Sequence, residues 1–157
     1  MANSDEWVIF KYEVDMFRAT LSLCNNGSKE FFAQAVQNAL VESLLLHARI
    51  LVDILLSRSP GSDDVTLFQL LPNFTSPDLY ELKTLYRSWR DPGSPCWILN
   101  KMLAHPSSLR SDHYDYSAPM QRLAPCIMKL IAQIEEHIPG ATACPGVAAD
   151  ERKETVP

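Results

Sequence analysis

Apolar residues recur every three or four positions along most of this chain, a spacing that predicts an all-α protein. In the first segment the spacing is carried by Trp7, Phe10, Val14, Phe17 and Leu21. Ser4 and the acids Asp5 and Glu6 provide the cap and the negative charge that favour a helix start, and Gly27 follows as a stop signal. We therefore expect a first helix over residues 5–24.

A second segment runs without glycine or proline from Ser28 to Ser57, which is about 29 residues or about 43 Å of helix. In its C-terminal half, apolar side chains stand at nearly every angle around the helix axis, including those of Leu44, Leu46, Leu51, Val52 and Leu55. A helix that is apolar all round is buried on several sides. The sequence thus predicts one long, apolar, central helix with the other helices packed around it.

Turn and cap residues divide the next part of the chain into shorter helices. The pattern predicts a short helix over 65–71, a helix over 76–89 and another over 94–105. Ser-Pro pairs that begin at Ser76 and Ser94 supply an N-cap and a proline at the first helical position. Three short helices are therefore expected here, and a polar loop follows them.

The last helix is predicted to have Pro119 in its opening turn and to reach about residue 138. Pro125 should bend this helix or delay its start, because an internal proline removes a backbone donor. The whole pattern predicts an up-and-down helical bundle of four to five helices, with residues 1–139 as a single domain. Residues 140–157 lack apolar periodicity, and we expect a disordered C-terminal tail.

The charge balance argues against duplex DNA as a partner. The chain has 14 basic and 19 acidic residues and a formal net charge of −5. It therefore lacks the basic stripe that supplies most non-specific affinity for nucleic acid, and binding of RNA would need a local cationic pocket.

Neither a secretory signal nor a membrane span is indicated. Asp5 and Glu6 stand where a signal peptide carries basic residues. The longest apolar stretch, residues 44–56, is interrupted by charged residues and is too short to cross about 30 Å of hydrocarbon. We expect a cytoplasmic protein with no membrane contact.

The cysteines indicate no metal site and no redox site. They are far apart and form no C-x-x-C pair: Cys24, Cys96, Cys126 and Cys144. The sequence therefore predicts free thiols and neither a metal nor a cofactor.

Charged residues interrupt the long apolar helix on one side. Glu42, Arg49 and Asp53 fall within about 40° of one another at about 100° per residue. Burial of an unpaired charge is costly, so two acids beside one arginine indicate mutual compensation. Two interpretations stay open: a structural salt-bridge cluster and a functional pocket.

A second polar group lies at the end of the helix predicted over 94–105, where Asn100 and Lys101 are followed by His105. An imidazole at a helix C-terminus favours its protonated form, which suits general acid chemistry but also merely stabilises the helix. His47 is interpreted differently, as a packed histidine that bonds to a neighbour, and His113 and His137 are expected to be exposed.

Two motifs together resemble the HEPN superfamily over roughly residues 28–138. They are Glu-x-x-x-x-His-Ala-Arg-x-x-x-Asp, from Glu42 to Asp53, and Asn-Lys-x-x-Ala-His, from Asn100 to His105. The resemblance implies a four-to-five-helix bundle, usually dimeric, and a homodimer is expected. Active HEPN proteins are metal-independent endoribonucleases with an Arg-x(4–6)-His motif.

In this chain His105 matches the motif histidine, but Asn100 occupies the arginine position. In such an enzyme the histidine moves the proton of the ribose 2′-OH and the arginine stabilises the phosphorane charge. Asparagine carries no charge, so Lys101 or Arg49 would have to supply the cation.

Three functions stay open on the sequence alone. The first is a degenerate HEPN-like domain that binds a partner protein, as a toxin–antitoxin-like module would, or that binds RNA or a nucleotide. The second is a weak metal-independent endoribonuclease that uses His105. The third is a small-molecule enzyme with a pocket between helices. The acidic net charge and the missing motif arginine favour the first.

Overall fold

The computed structural model describes residues 4–26, 34–57, 61, 64–86, 94–104 and 117–138. These residues form six helices: α1 (Ser4–Asn26), α2 (Gln34–Leu56), α3 (Leu67–Leu70), α4 (Pro77–Tyr86), α5 (Pro95–Ala104) and α6 (Ser117–Glu135). No strand occurs in the described part of the chain, and the predicted all-α class is confirmed. The number exceeds the four to five helices of the predicted bundle because the short segment predicted over 65–71 forms a helix of its own, α3, with only 4 residues.

The two longest helices, α1 and α2, have 23 residues each. Asp5 and Glu6 lie in the first turn of α1, where the partial positive charge of the helix end favours acids, as predicted. The helix α2 ends at Leu56, and Ser57 follows with a φ of 48°. This left-handed conformation usually belongs to glycine or asparagine and ends the helix where the sequence predicted.

Side-chain caps fix the starts of the three short helices. Thr66 and Gln69 form a reciprocal capping box on α3. The Ser76 Oγ accepts a hydrogen bond from the Asp78 amide at 3.1 Å, and the Ser94 Oγ accepts one from the Trp97 amide at 3.1 Å. The predicted Ser-Pro starts of α4 and α5 are thus confirmed, because each serine satisfies an amide that has no partner within the helix.

The last helix, α6, continues through Pro125 from Ser117 to Glu135. Pro119 lies in its opening turn, as predicted, whereas the expected delay of the helix start does not occur. Pro125 is exposed, so its ring projects into solvent and removes one backbone hydrogen bond without disturbing the core.

The helix α2 contacts each of the other five described helices, and α1 packs along α2. The core includes the fully buried side chains of Phe10, Phe17, Leu45, Leu51, Leu82, Leu99, Leu123, Ile127, Leu130 and Ile131. One side of α2 nevertheless remains in solvent, since 47% of Leu46 and 44% of Val36 are exposed. The apolar residues of α2 therefore divide between the core and an open surface.

Salt bridges and buried polar contacts join helices that are distant in sequence. The Arg18 guanidinium of α1 makes two hydrogen bonds to the Glu135 carboxylate of α6, at 2.7 and 2.8 Å.

Among the described helices none is long and apolar enough to cross a bilayer. The predicted tail, residues 140–157, lies outside the described residues.

Candidate functional site

The predicted charged group on α2 lies at the protein surface. The Arg49 Nε is 3.8 Å from the Asp53 Oδ2, and 33% and 42% of these side chains are exposed. Glu42 is exposed on the same helix. The three residues therefore share the solvent side of α2 as their spacing predicted, but they do not form a buried cluster.

The second predicted site is only partly described. The Asn100 Nδ2 donates to the Cys96 carbonyl oxygen at 2.8 Å and lies 3.5 Å from the Cys96 Sγ, one turn back along α5. These bonds tie the amide of Asn100 to its own helix. The side chain of Lys101 and the whole of His105 lie outside the described residues, and so does His113.

His47 forms a buried polar contact between α1 and α2. Its Nδ1 is 2.7 Å from the Glu13 Oε2, and both residues are buried. The ring of Tyr12 meets the His47 ring edge to face, with 6.2 Å between centroids. The predicted packed histidine is confirmed. Its partner is 34 positions away, and the only signal for it was an acid within the apolar stripe of the first helix.

A buried carboxylate at the start of α4 holds α6 in place. Asp78 accepts hydrogen bonds from the Lys129 Nζ and the Gln133 Nε2, both at 2.6 Å. These two hydrogen bonds lower the pKa of Asp78 below its usual value, and the bond to Asp78 raises the pKa of Lys129. Sequence reasoning identified Asp78 only as a first-turn acid and missed this cluster.

The described cysteines form no disulfide, and the remaining described histidine, His137, lies at the surface. Cys96 and Cys126 are buried cysteines outside any disulfide, and burial is the main cause that raises the pKa of Cys126 to about 11. Cys24 is an exposed free thiol. His137 is exposed, as predicted, and packs against the ring of Phe74. No group of three metal-ligating side chains occurs in the described part of the chain.

A surface that sequence reasoning missed lies on α1, away from the core. Its residues alternate at spacings of three and four: Ile9, Tyr12, Met16, Ala19 and Leu23. Exposed fractions are 47% for Ile9, 55% for Tyr12 and 46% for Leu23. This 3.5-residue period is the one that joins helices in coiled coils.

A second stripe with the same period lies on α2. It consists of Val36, Ala39, Ser43, Leu46 and Ile50. Val36, Ala39 and Leu46 are exposed, and Ser43 and Ile50 are half-buried. Both stripes were readable as heptads in the sequence, but periodicity alone does not tell a core-facing stripe from a solvent-facing one.

The two stripes lie side by side. The helices α1 and α2 are antiparallel, because the seven residues between them reach at most about 27 Å while each helix is about 35 Å long. The contact of Tyr12 with His47, the neighbour of Leu46, brings the α1 stripe beside the α2 stripe. We call these ten residues the α1–α2 face.

Comparisons of this chain with protein families, with characterised proteins and with solved structures gave no match. A function must therefore be inferred from the residues and their geometry.

Proposed function

We propose that this protein is a protein-interaction domain that binds a helical partner through the α1–α2 face. The observation that carries the proposal is the pair of exposed heptad stripes on neighbouring antiparallel helices. Two such helices present a broad apolar surface, and a helical partner would complete a four-helix arrangement. The degenerate HEPN-like character inferred from the sequence motifs is part of this proposal.

The distribution of exposed apolar residues supports an interface. Six of the eight large apolar side chains that are exposed in the described residues belong to α1 or α2, and only Phe68 and Tyr80 lie elsewhere. Single exposed apolar residues are normal, whereas a contiguous patch usually marks an interaction site. The concentration on two adjacent helices therefore favours a docking surface over chance exposure.

The charges around the face favour a protein partner over RNA. Arg49 lies beside Asp53, which offsets its charge, and the exposed Glu42 is on the same side of α2. Binding of nucleic acid depends largely on cations that neutralise phosphates. A surface with apolar stripes and balanced charge at its edge is instead typical of helix–helix recognition.

Substitution of Leu46 by glutamate tests the proposal. When an extract of its source cells is separated by size-exclusion chromatography, the tagged wild-type chain should elute in an assembly larger than 17.7 kDa. Leu46→Glu should elute as the free chain. A buried unpaired charge opposes docking by several kcal/mol, which is enough to release the partner. Phe68→Glu is the matched control, because Phe68 is 68% exposed but outside the face, and it should leave the assembly intact.

The proposal fails if the wild type elutes as a free chain both in the extract and after purification. It also fails if Leu46→Glu leaves the assembly unchanged while circular dichroism shows that the variant is folded.

A further inference from the structure

We infer that the occupant of the α1–α2 face is a second copy of this chain, with α2 packed antiparallel to α2 of that copy about a two-fold axis. The inference rests on the proposed function and names its partner. A two-fold interface must be self-complementary. If one residue of the first copy contacts a second residue of the other copy, the same contact occurs again with the two copies exchanged. The inner four residues of the stripe on α2 meet this condition in shape, and two charged residues beside the stripe meet it in charge.

The shape is complementary because large side chains meet small ones. With the axis midway between Ser43 and Leu46, Ser43 faces Leu46 of the second copy, and Ala39 faces Ile50 of the second copy. The same pairs recur on the other side of the axis. Alternation of small and large residues across facing positions allows helices to interdigitate without voids or clashes.

The charges are complementary in the same register. Glu42 and Arg49 lie seven positions apart, beside the stripe and on the same edge of α2. In the antiparallel pair, Glu42 comes within about 3 Å of Arg49 of the second copy along the helix axis. Residues that flank a heptad seam in this way form the salt bridges that set orientation and partner choice. The two-fold axis repeats this contact, so each of the two symmetry-related pairs brings a glutamate beside an arginine.

The stripe on α1 is centred on the same axis. With Ala19 facing Ile9 of the second copy, and Tyr12 facing Met16, the centre of α1 lies at Val14. The ring contact of Tyr12 with His47 sets Val14 beside a point near Leu45, because the two helices are antiparallel. That point is also the centre of α2. One axis therefore serves both stripes.

The face is large enough for a stable dimer. Two helices of 23 residues, each about 35 Å long and about 10 Å from its neighbour, present about 700 Å² per copy. The two copies together would bury about 1,400 Å², within the range of specific protein interfaces.

Charge reversal tests both the partner and the register. The purified wild type should sediment as a dimer of twice 17.7 kDa that dissociates on dilution. Glu42→Arg and Arg49→Glu should each raise the dissociation constant about tenfold or more, because each variant creates two like-charge pairs. An equimolar mixture of the two variants should form the mixed dimer in preference to either homodimer, and the double variant Glu42→Arg/Arg49→Glu should recover the wild-type constant.

The matched control is Glu81→Arg, which reverses an exposed acid on α4 and should leave the dissociation constant unchanged. Circular dichroism of every variant separates loss of the dimer from loss of the fold.

The possible outcomes separate this inference from the proposed function. The purified wild type could stay monomeric at high micromolar concentration while Leu46→Glu still loses the larger assembly in extracts. That result overturns the inference of a second copy and leaves the proposed interaction domain intact. A dimer without preference for the mixed pair overturns the antiparallel register. A dimer that persists in Leu46→Glu, together with an unchanged assembly in extracts, overturns both proposals.

Discussion

At the scale of single residues, the buried side chains of Glu13, His47 and Asp78 are stabilised by partners on other helices. His47 pairs with Glu13, and Asp78 accepts hydrogen bonds from Lys129 and Gln133. A buried polar group without a partner costs about 1–3 kcal/mol, a large fraction of the stability of an ordinary domain. These contacts therefore fix which helices are neighbours and in which register.

Asp78 should make the stability of the protein depend on acidity. Its pKa is lowered in the fold, so its ionised form contributes stability that is present above the unfolded pKa of about 4 and is lost as the pH falls through the lowered folded value. Asp78→Asn should lower the melting temperature at pH 7 and lose this acid dependence. Thermal melts of both proteins between pH 7 and pH 2 measure the difference.

The gap between the two melting curves should close as the pH falls. Glu136→Gln, a change at an exposed carboxylate on the segment after α6, should show no comparable gap. A gap of constant size from pH 7 to pH 2 would mean that the charge of Asp78 contributes nothing.

Glu13 and His47 should behave as a coupled pair in unfolding experiments. Glu13→Ala and His47→Ala should each cost about 1–3 kcal/mol, since each leaves a buried partner unsatisfied. The double variant should cost less than the sum of the two, by about 0.5–3 kcal/mol. Urea denaturation of the four proteins gives the coupling, and Lys11→Ala, at an exposed position of the same helix, is the control. Additive effects would contradict the pair.

These residues also show the limits of sequence reasoning. The packing of His47 was predicted because it interrupts an apolar helix, but Glu13 and the contacts of Asp78 were not. Each joins positions more than 30 residues apart. No local pattern determines such contacts.

At the scale of the elements, most helix boundaries were predicted from caps and prolines. The starts of α4 and α5 follow from Ser76 and Ser94, whose effect is confined to one turn of helix. The capping box of Thr66 and Gln69 is equally local, yet it was not recognised before the structure showed it. Pro125 does not delay the start of α6, because the packing of this helix keeps the proline helical despite the missing hydrogen bond.

Replacement of Pro125 should therefore stabilise the protein. Pro125→Ala restores a backbone donor at an exposed position inside α6 and should raise the free energy of unfolding by about 1–3 kcal/mol. Pro77→Ala is the control, because Pro77 is also exposed but occupies the first position of α4, where proline suits the helix. Chemical denaturation measures both. An equal effect at the two sites would contradict the explanation.

At the scale of the whole molecule, the apolar side chains of α2 divide between the core and the α1–α2 face. The helix α2 carries apolar residues on most sides, and only contact with the other five helices decides which of them are buried. Leu45 is fully buried, whereas its neighbour Leu46 is 47% exposed. The exposed set is what supports an interaction domain, and the ribonuclease alternative depends on different residues.

Cleavage of RNA tests that alternative for the whole protein. If the protein is an interaction domain without catalysis, a pool of single-stranded RNA incubated with it in EDTA should stay intact at every time point. His105→Ala is the matched control. Cleavage by the wild type that drops at least a hundredfold in His105→Ala would contradict this expectation and indicate general acid–base catalysis by His105.

The sequence by itself determined the all-α class and most helix boundaries, because spacing, caps and prolines act within a few residues. It also placed Arg49 and Asp53 on one side of the second helix. Only the tertiary structure decided that this side is in solvent, that His47 pairs with Glu13, and that two heptad stripes lie together outside the core. These features depend on how distant helices pack, and periodicity identifies the faces of a helix but not what each face contacts.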